Sequence, residues 1–508
     1  MKPSAVPETL WPRLSEFIAE KMGLHFPSER REDLKRGLAG AAGEFGFADV
    51  AACGRWLLSA SLTQAQIQML AGHLTVGETY FFREKKTFDV LAESVLPELI
   101  ASRRYGELRL RIWSAACCTG EEPYSLAMLL HQVIPDLPDW HVTILATDIN
   151  ERFLQEAISG VYGEWSFRDV PAWIKQCYFQ RTRDGRYSIV PEIRKRVTFA
   201  RLNLVEDVYP SLATDTNAMD VIFCRNVLMY FTPPQARKVV RNLRHSLVED
   251  GWLAVSASEG SQASFSRFVP VNFPGVILYQ KGDSKVQTGQ PGSAVPRGET
   301  AEVIAPAFQA PLLGFPPIPP ALPTEPALAP SLEAPSQTET APTPFAVAAS
   351  LYQQSRYAET ADMLLASFAA RAAPDPQAFS LLARALANQG KLADALAWCD
   401  RWIGADKLDS SGHYLRAVVL QELGDHELAR RSLQRAIYLH PDFVLAHFAL
   451  GNLARNCGKV DEAVKHFNNA LHLLHDCQSN DVLPESDGLT AGRLAEIISS
   501  ILALETTP

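Results

Sequence analysis

The 508-residue chain lacks several features that would each point to a particular class of protein. No apolar run approaches the roughly 20 residues that a membrane-spanning helix needs, and the first residues, MKPSAVPETLWPRL, lack the continuous apolar core of a signal peptide. The formal net charge of −9 argues against a general binder of nucleic acid or membrane surfaces. We therefore expect a cytoplasmic, soluble protein whose partners are proteins or small molecules.

The cysteine pattern contains neither a metal site nor a disulfide framework. The eight cysteines form no CxxC pair, and no matched histidine cluster accompanies them. A metal site is therefore not predicted, and the cysteines are expected to be reduced and mostly buried thiols.

Composition and periodicity divide the chain into folded and unfolded parts. Residues 1–76 show helical periodicity without strand runs, which predicts a small helical domain. Residues 77–281 alternate strand-like and helical runs, which predicts an open parallel α/β sheet, with a short-stranded β insertion at about 164–200. Residues 282–344 are rich in Pro, Ala, Gly, Ser and Thr, and we predict a disordered linker because such a segment buries too little apolar surface to fold.

An internal repeat follows the linker, over residues 345–478. Gly390, Gly424 and Gly458 recur at intervals of 34 residues, the period of tetratricopeptide helix pairs. Further columns of small and large residues keep this interval: Ala361, Ala395, Ala429 and Ala463; Ala383, Ala417 and Gly451; Leu433 and Phe467. They predict an all-α repeat domain of the kind that binds other proteins, followed by a tail, 479–508, with a capping helix in LTAGRLAEIISSILALE.

The segment RIWSAACCTGEEPYSLAMLL, residues 111–130, begins like a nucleotide-binding strand and turn. In an open α/β sheet this turn forms one wall of the cofactor crevice, and Gly120 is the residue there with freedom at positive φ. Glu121 and Glu122 follow where a phosphate loop has amides and a lysine, and their charges would repel a pyrophosphate. A cationic ligand is favoured, unless the two glutamates only stabilise a helix start through its dipole.

S-adenosylmethionine has the chemistry that these residues favour. Its α-ammonium suits a carboxylate such as Glu121, and its ribose hydroxyls suit an acceptor such as Asp148, which ends the second predicted strand. Asn203, Arg225 and Asn226 follow two further strands that end at the same edge of the sheet, where cofactors bind. We therefore predict an S-adenosylmethionine site at this edge, in an acidic crevice.

Five segments together resemble the chemotaxis receptor methyltransferases, the CheR family of S-adenosylmethionine-dependent protein-glutamate O-methyltransferases. They are GETYFFRE (77–84), RIWSAACCTGEEPYSLAM (111–128), ATDI (146–149), LNLVED (202–207) and DVIFCRNVLMYF (220–231). The resemblance runs from about residue 10 to 281. It implies a helical domain, a Rossmann-like methyltransferase domain and a small β insertion, and it does not extend to the linker or the repeats.

The resemblance also implies roles for single residues. Arg83 is expected to pair with the carboxylate of the methionine end, Glu121 to meet the ammonium and Asp148 the ribose. The residues expected to bind the cofactor are Gly77, Thr79, Arg83, Glu121, Asp148, Asn203, Leu204, Arg225 and Asn226. Gly77 stands where the family often has Asn, so a side-chain hydrogen bond is absent there.

The expected reaction needs little from side-chain chemistry. An ionised carboxylate attacks the methyl group in line, with S-adenosylhomocysteine as the product, and no base is required at neutral pH. Alignment and exclusion of water then supply the catalysis, so no catalytic side chain is predicted. Packing is predicted for the cysteines and aromatics of this region: Phe81, Phe82, Cys117, Cys118, Cys224 and Tyr230. The alternative for Tyr230 is that it orients the incoming carboxylate.

Three functions remain open from the sequence. The first is methylation of glutamates on a methyl-accepting chemoreceptor, with the repeats directing binding to receptor or other chemosensory proteins. The second is a non-catalytic S-adenosylmethionine-binding scaffold, and the third is methylation of a small molecule. A basic helix with Arg30, Arg31, Lys35 and Arg36 either meets an acidic receptor or is a solvated face, and the short connection QRTRDGRYSIVP disfavours docking of a receptor tail at the β insertion.

Overall fold

Four helices form the N-terminal region, and their buried faces follow the spacing of the apolar residues. The computed structural model describes residues 7–104, 106–260, 265–282, 343–370 and 376–505. The four helices are α1 Leu10–Met22, α2 Arg31–Glu44, α3 Val50–Ser59 and α4 Gln64–Leu74. Leu14, Ile18 and Met22 recur every four residues on α1 and are buried. At the start of α4, Thr63 and Gln66 form a capping box that satisfies free backbone amides.

A seven-stranded sheet forms the central region. Its strands are β1 Arg109–Ala115, β2 His141–Asp148, β6 Val197–Arg201, β7 Met219–Phe223, β8 Leu247–Ala254, β9 Phe268–Phe273 and β10 Val276–Lys281. The strand order is β6-β2-β1-β7-β8-β10-β9. The strands from β6 to β8 are parallel, whereas β10 and β9 are antiparallel additions. This sheet confirms the predicted α/β class.

The sequence pattern indicates β10 but not β9. Pro270 lies within β9, and proline is uncommon in strands because it has no N–H to donate. The position of β9 at the edge of the sheet explains why proline is tolerated there, since one side of an edge strand pairs with no neighbouring strand.

Helices and a small second sheet complete the central region. The helices are α5 Lys85–Val90, α6 Leu96–Arg103, α7 Glu121–Val133, α8 Glu151–Ser159, α9 Ala172–Tyr178, α10 Pro191–Arg194 and α11 Pro233–Ser246. The second sheet contains β3 Val161–Tyr162, β4 Phe179–Arg181 and β5 Tyr187–Ile189, with β5 in the middle. It begins before the range 164–200 that the sequence predicts for the insertion, and β6 within that range pairs with the main sheet.

The repeat region consists of four helix pairs and a final helix. They are α12 Pro344–Gln353, α13 Tyr357–Ala369, α14 Pro376–Asn388, α15 Leu392–Ala405, α16 Ser410–Glu422, α17 His426–Leu439, α18 Val444–Asn456, α19 Val460–Leu474 and α20 Ala491–Glu505. Gly390, Gly424 and Gly458 lie between the two helices of a pair with φ of 75°, 81° and 72°, which explains their recurrence. The ring of Phe467 lies against Gly451, where a Cβ atom would approach within 2.5 Å of it.

The repeat region packs directly against the sheet region, and residues Met1–Ser284 with Pro344–Pro508 form one compact unit. Gly424 lies so close to the ring of His141 that a side chain would collide with it, and Gly390 lies beside Val248. The predicted linker 282–344 falls almost entirely outside the described residues. Among the residues that the structure describes, no helix is long and apolar enough to cross a membrane.

Candidate functional site

A cavity of about 1050 Å³ opens at the carboxyl ends of β1, β2, β6 and β7. Seven of the nine predicted cofactor-binding residues line it: Thr79, Arg83, Asp148, Asn203, Leu204, Arg225 and Asn226. The N-terminal helices close its far side with apolar side chains, among them Met22, Phe26 and Leu74. Mostly apolar walls with a few convergent polar groups are typical of small-molecule and cofactor sites.

The turn after β1 has a strained backbone that aims two amides at β2. Gly120 has a positive φ of 92°, the conformation for which glycine is suited, and Ala116 and Cys118 also have positive φ, at 63° and 52°. This geometry points the Cys117 N–H at the carbonyl of Thr147, 2.9 Å away. Non-glycine residues in this region of φ cost free energy and cluster at functional sites.

Asp148 is held at the end of β2 by hydrogen bonds from backbone amides. Its Oδ2 accepts from the Cys118 N–H at 2.9 Å, and its Oδ1 accepts from the Asn150 N–H at 2.8 Å. Burial raises the pKa of this carboxyl to about 6, against the lowering effect of the backbone hydrogen bonds. Each oxygen retains a lone pair, so the carboxylate can accept two further hydrogen bonds from a ligand.

The two glutamates at the start of α7 have different surroundings. Glu121 is 3% exposed and does not line the cavity. Its carboxylate accepts hydrogen bonds from Thr119 Oγ1 at 2.7 Å and from Ser166 Oγ at 2.9 Å. Glu122 does line the cavity, and its carboxylate accepts from Ser114 Oγ at 2.7 Å. Burial raises the pKa of both carboxyls, so a nearby cation would favour their ionised forms.

Arg225 fastens the end of β7 to the segment before α5. Its guanidinium pairs with Glu122 and with Glu84, each at 3.1 Å, and donates to the carbonyl of Arg83 at 2.6 Å. Its Nε has no hydrogen-bond partner although it is buried. Most of this side chain is therefore committed to positioning the segment that carries Arg83.

The cavity contains charges of both signs rather than an acidic excess. Its formal anions are Glu78, Glu122 and Asp148, and its formal cations are Arg30, Arg83 and Arg225. The prediction of an acidic crevice is therefore wrong for the cavity as a whole, because Glu121 turns away and Arg225 neutralises Glu122. A mixed lining suits a zwitterion, whose charges of both signs need partners of both signs.

The segment before α5 places Gly77, Thr79 and Arg83 differently. Thr79 and Arg83 line the cavity, and Arg83 donates to the carbonyl of Glu78 at 2.5 Å. Gly77 does not line it, because the ring of Phe153 occupies the adjacent space, and a Cβ atom would stand 2.8 Å from that ring. Phe153 itself lines the cavity, so the Asn that the family often has at this position would collide with it.

Asn203 and Leu204 are positioned by the loop after β6. Asn203 is 1% exposed, and its amide donates to the carbonyl of Lys21 at 2.9 Å and to Glu206 Oε1 at 3.1 Å. The backbone carbonyl of Leu204 accepts from the hydroxyl of Tyr209 at 2.7 Å. These bonds tie the loop to α1 and leave the Leu204 side chain as part of the apolar wall.

Three residues of the site stand outside the predicted set of site residues. Arg30 and Glu259 are not predicted there, and Tyr230 is assigned to packing, with orientation of the carboxylate as the alternative. Arg30 lines the cavity with its guanidinium 4.9 Å from the ring centre of Tyr230, which also lines it. Glu259 accepts hydrogen bonds from the backbone amides of Asn226, at 2.7 Å, and Met229, at 3.3 Å, and so holds the loop after β7. The spacing of Ser256 and Glu259 is that of a capping box, a local signal that could have revealed Glu259.

The packing predictions for nearby cysteines and for the two phenylalanines are confirmed. Phe81 is fully buried, with its ring 4.8 Å from that of Tyr162, and Phe82 packs on Phe88 at 5.2 Å. Cys117, Cys118 and Cys224 are free and buried, and burial raises the pKa of each thiol. A raised pKa disfavours the reactive thiolate. Among the described residues no group of three or more His, Cys, Asp or Glu side chains is placed to hold a metal ion.

Comparison with known families and proteins follows the same division of the chain. Residues 77–273 match the family model of the CheR methyltransferase, SAM binding domain, and residues 346–410 and 414–478 match a tetratricopeptide repeat model. The chain is 39% identical over 220 residues to chemotaxis protein methyltransferase 1 of Pseudomonas aeruginosa, which covers 42% of this chain and 77% of that protein. It is 34% identical over 204 residues to the chemotaxis protein methyltransferase of Borreliella burgdorferi, covering 40% and 71%.

One relative is similar along more of the chain. The protein named "Probable biofilm formation methyltransferase WspC", of Pseudomonas aeruginosa, is 28% identical over 389 residues. This similarity covers 76% of this chain and 81% of that protein, whereas the two shorter relatives match only about two fifths of the chain.

Proposed function

The chain belongs to the family of chemotaxis protein methyltransferases, which use S-adenosylmethionine as methyl donor, and we propose that it methylates glutamate side chains on a methyl-accepting, chemoreceptor-like signalling protein. The observation that carries the proposal is the cavity at the sheet edge, where Asp148 keeps free acceptor capacity beside paired charges of both signs. We further propose that the repeats direct binding to another protein of the chemosensory system.

The residues of the cavity fit S-adenosylmethionine. Asp148 is proposed to accept hydrogen bonds from the ribose hydroxyls, because both of its oxygens have lone pairs left after the backbone amides are bound. Arg83 is proposed to pair with the carboxylate, with Thr79 beside it. The loops that carry Asn203, Leu204 and Asn226 are proposed to enclose the adenine and the donor side.

Glu121 is proposed to bind the α-ammonium, which requires its carboxylate to turn from Thr119 and Ser166 towards the cavity. Calorimetry with Glu121→Gln tests this contact, and we expect weaker binding of S-adenosylmethionine by roughly tenfold, as for the loss of a hydrogen bond to a charged group. Ser166→Ala is the control, since it removes one partner of the free form without removing the carboxylate. Unchanged affinity in Glu121→Gln would contradict the role.

When bound, the cofactor supplies a methyl group activated by positive sulfur. The protein needs to hold an ionised glutamate of the acceptor in line with that group and to exclude water, so alignment is the main source of catalysis. Arg30, before α2, and Tyr230, in the segment after β7, lie together at the cavity wall and are the side chains that we propose orient the incoming carboxylate.

The test of the function has two stages. Titration calorimetry with S-adenosylmethionine and S-adenosylhomocysteine measures cofactor binding by the full chain. Incubation with purified cytoplasmic fragments of candidate receptors then shows whether base-labile methyl esters form, and we expect them on at least one fragment. The same fragment with its candidate glutamates replaced by alanine is the control and is expected to carry no ester. Cofactor binding without ester formation on any receptor would favour the scaffold.

A further inference from the structure

A loop between α19 and α20 folds back onto the repeats. We call residues 478–490 the return loop. It is closed by backbone hydrogen bonds, including Leu483 N–H to the carbonyl of Leu489 at 2.9 Å. Leu483 and Leu489 are 6% and 4% exposed and belong to the same hydrophobic cluster as the repeat helices. The loop is therefore part of the packed structure, although it has no helix of its own.

Two carboxylates of the return loop meet one buried arginine of the repeats. Arg384 of α14 is 6% exposed, and its guanidinium pairs with Glu485 and, at 2.7 Å, with Asp487. Asp487 also accepts from the hydroxyl of Tyr352 at 3.1 Å, and Tyr352 in turn accepts from Asn388 at 3.0 Å. These groups belong to α12 and α14, the first helices of two neighbouring pairs.

Stability alone is a weak explanation for this arrangement. Burying the Arg384 guanidinium costs free energy, and its attraction to two carboxylates that stay 21% and 15% exposed repays this cost only in part. A fixed fork of donors that meets two carboxylates is, by contrast, well suited to discrimination between acidic and other peptides. The arrangement has the chemistry of a recognition site.

A cleft with a basic wall continues from Asp487. It has a volume of about 2520 Å³, and Arg241, Arg244, His245 and Arg267 line it opposite the repeats. Burial lowers the pKa of His245 to about 4, with further lowering by the positive charges of Lys281 and the neighbouring arginines. The formal cations Arg241, Arg244, Arg267 and Arg356 outnumber the formal anions Asp207 and Asp487 in the lining, so the cleft favours an acidic chain.

We propose that the face of the repeats around Arg384 is a binding site for an acidic peptide of a partner protein, one that presents carboxylates on residues i and i+2, and that the return loop occupies this site as an intramolecular stand-in. A tethered segment competes at an effective concentration in the millimolar range. To displace the tethered loop, a partner peptide needs additional affinity, and we expect further acidic residues that reach the basic cleft to supply it.

The test weakens the attachment of the return loop without changing any residue of the proposed site around Arg384. The full-length double variant Glu485→Gln/Asp487→Asn keeps the size of the loop and removes its charges. The probe is a fluorescein-labelled peptide with the sequence DVLPESDGLT of residues 481–490, followed by fluorescence anisotropy. We expect at least tenfold tighter binding to the double variant than to the unmodified chain. Equal binding to both proteins would overturn the proposal.

Two controls separate recognition from charge in general. The same peptide with Gln and Asn in place of its Glu and second Asp is expected to lose the tenfold gain. Adding Arg384→Met to the double variant is expected to abolish binding of the acidic peptide, whereas adding Arg401→Met, at a cation of α15 over the ring of Trp398, is expected to leave it unchanged. Binding of the neutral peptide as tightly as the acidic one would refute the role of Arg384.

A measurement on the unmodified chain covers the case in which these variants unfold. An excess of the acidic peptide is expected to displace the return loop and to accelerate hydrogen exchange of the Leu483 and Leu489 amides severalfold, because these amides donate to the carbonyls of Leu489 and Ser486 within the packed loop. No acceleration at saturating peptide, or equal acceleration by the neutral peptide, would contradict displacement.

Discussion

The two ends of strand β1 have different surroundings. At its carboxyl end, Ser114 and the following turn border the cavity at the edge of the sheet. At its amino end, Arg109 is 2% exposed and pairs at 3.0 Å with Glu422 of the repeats, which Asn217 also contacts at 3.2 Å. Ligands of open α/β sheets bind at the carboxyl ends of strands, so the repeats cover the end of the sheet that the chemistry leaves free.

The difference between the ends concerns how charge is satisfied. At the cavity, Asp148 is bound by backbone amides and keeps capacity for a ligand. At the repeat interface, side chains of the protein itself use that capacity: Glu422 accepts from Arg109 and Asn217 and lies 3.5 Å from Arg111. The cavity therefore has acceptor groups free to bind a ligand, whereas the charges at the repeat interface are paired within the protein.

The largest expected effect is at the amino end of β1, which the repeats cover. Replacing Glu422 by alanine leaves the buried Arg109 without its ion-pair partner, whereas Arg111 keeps its hydrogen bond to the carbonyl of Asp215. We expect a loss of about 3–5 kcal/mol in the free energy of unfolding, as for other broken buried pairs. Denaturant unfolding of the full chain measures it. Glu427→Ala is the control, because Glu427 is 72% exposed and pairs weakly with Arg430. Equal losses in both variants would erase the contrast between the ends.

At the cavity, the corresponding change acts on ligand binding and also on the local fold, because one of the two amides that donate to Asp148 loses its acceptor. Asp148→Asn is expected to weaken S-adenosylmethionine binding by about 10–100-fold, since hydrogen bonds to a charged acceptor contribute about 1.5–3 kcal/mol each. Calorimetry measures the affinity. Asp139→Asn, at an exposed carboxylate after α7, is expected to bind normally. If Asp148→Asn binds as tightly as the unmodified chain, Asp148 does not contact the cofactor.

Lowering the pH is expected to weaken binding of S-adenosylmethionine, as the substitution Asp148→Asn does. The pKa of Asp148 is raised to about 6, so the carboxyl is ionised above this pH and protonated below it. Because the proposed ribose contacts need the ionised form, affinity is expected to fall as the pH drops through about 6, approaching tenfold per unit well below it. Calorimetry between pH 7.5 and pH 5 gives the profile, in which Asp148→Asn lacks this step. An unchanged affinity over that range contradicts the role of the carboxylate.

The smallest expected effect concerns the contact of α20 with the sheet region. Ser500 donates to Glu151 at 2.8 Å, so Ser500→Ala is expected to cost about 0.5–1.5 kcal/mol in the free energy of unfolding. The adjacent Ser499 is exposed and bonds only within its own helix, to the carbonyl of Ala495 at 2.8 Å. Ser499→Ala is therefore a matched control, and a cost in both variants would show that helix propensity, rather than docking, is being measured.

Much of the fold could be predicted because it depends on local patterns. The strands β1, β2, β7 and β10 are apolar runs between turns, and the repeat helices follow from residues that recur every 34 positions. Gly424 illustrates the limit: its positive φ follows from the helix pair, but its contact with His141 could not be predicted. That contact joins residues far apart in the chain, and no periodicity relates them.

The sequence predicts most of the residues that meet at the cavity, but it does not predict the directions and partners of their side chains. Asp148, Asn203, Leu204, Arg225 and Asn226 meet at one edge because the carboxyl ends of parallel strands lie together. Glu121 and Glu122 are the same residue type in the same helical turn, yet Ser166 of the insertion contacts the first and Arg225, in the loop after β7, contacts the second.

By itself, the sequence determined the family, the sheet, the repeats and the edge of the sheet at which the cavity lies, since strand and helix periods and turn residues act over a few positions. Only the tertiary structure decided which carboxylates keep free acceptor capacity and which surfaces of the repeats the chain itself covers. Arg109 and Arg384 show why: a buried charge takes whichever partner the fold brings within hydrogen-bonding distance, and that partner lies 313 residues away for the first and 103 for the second.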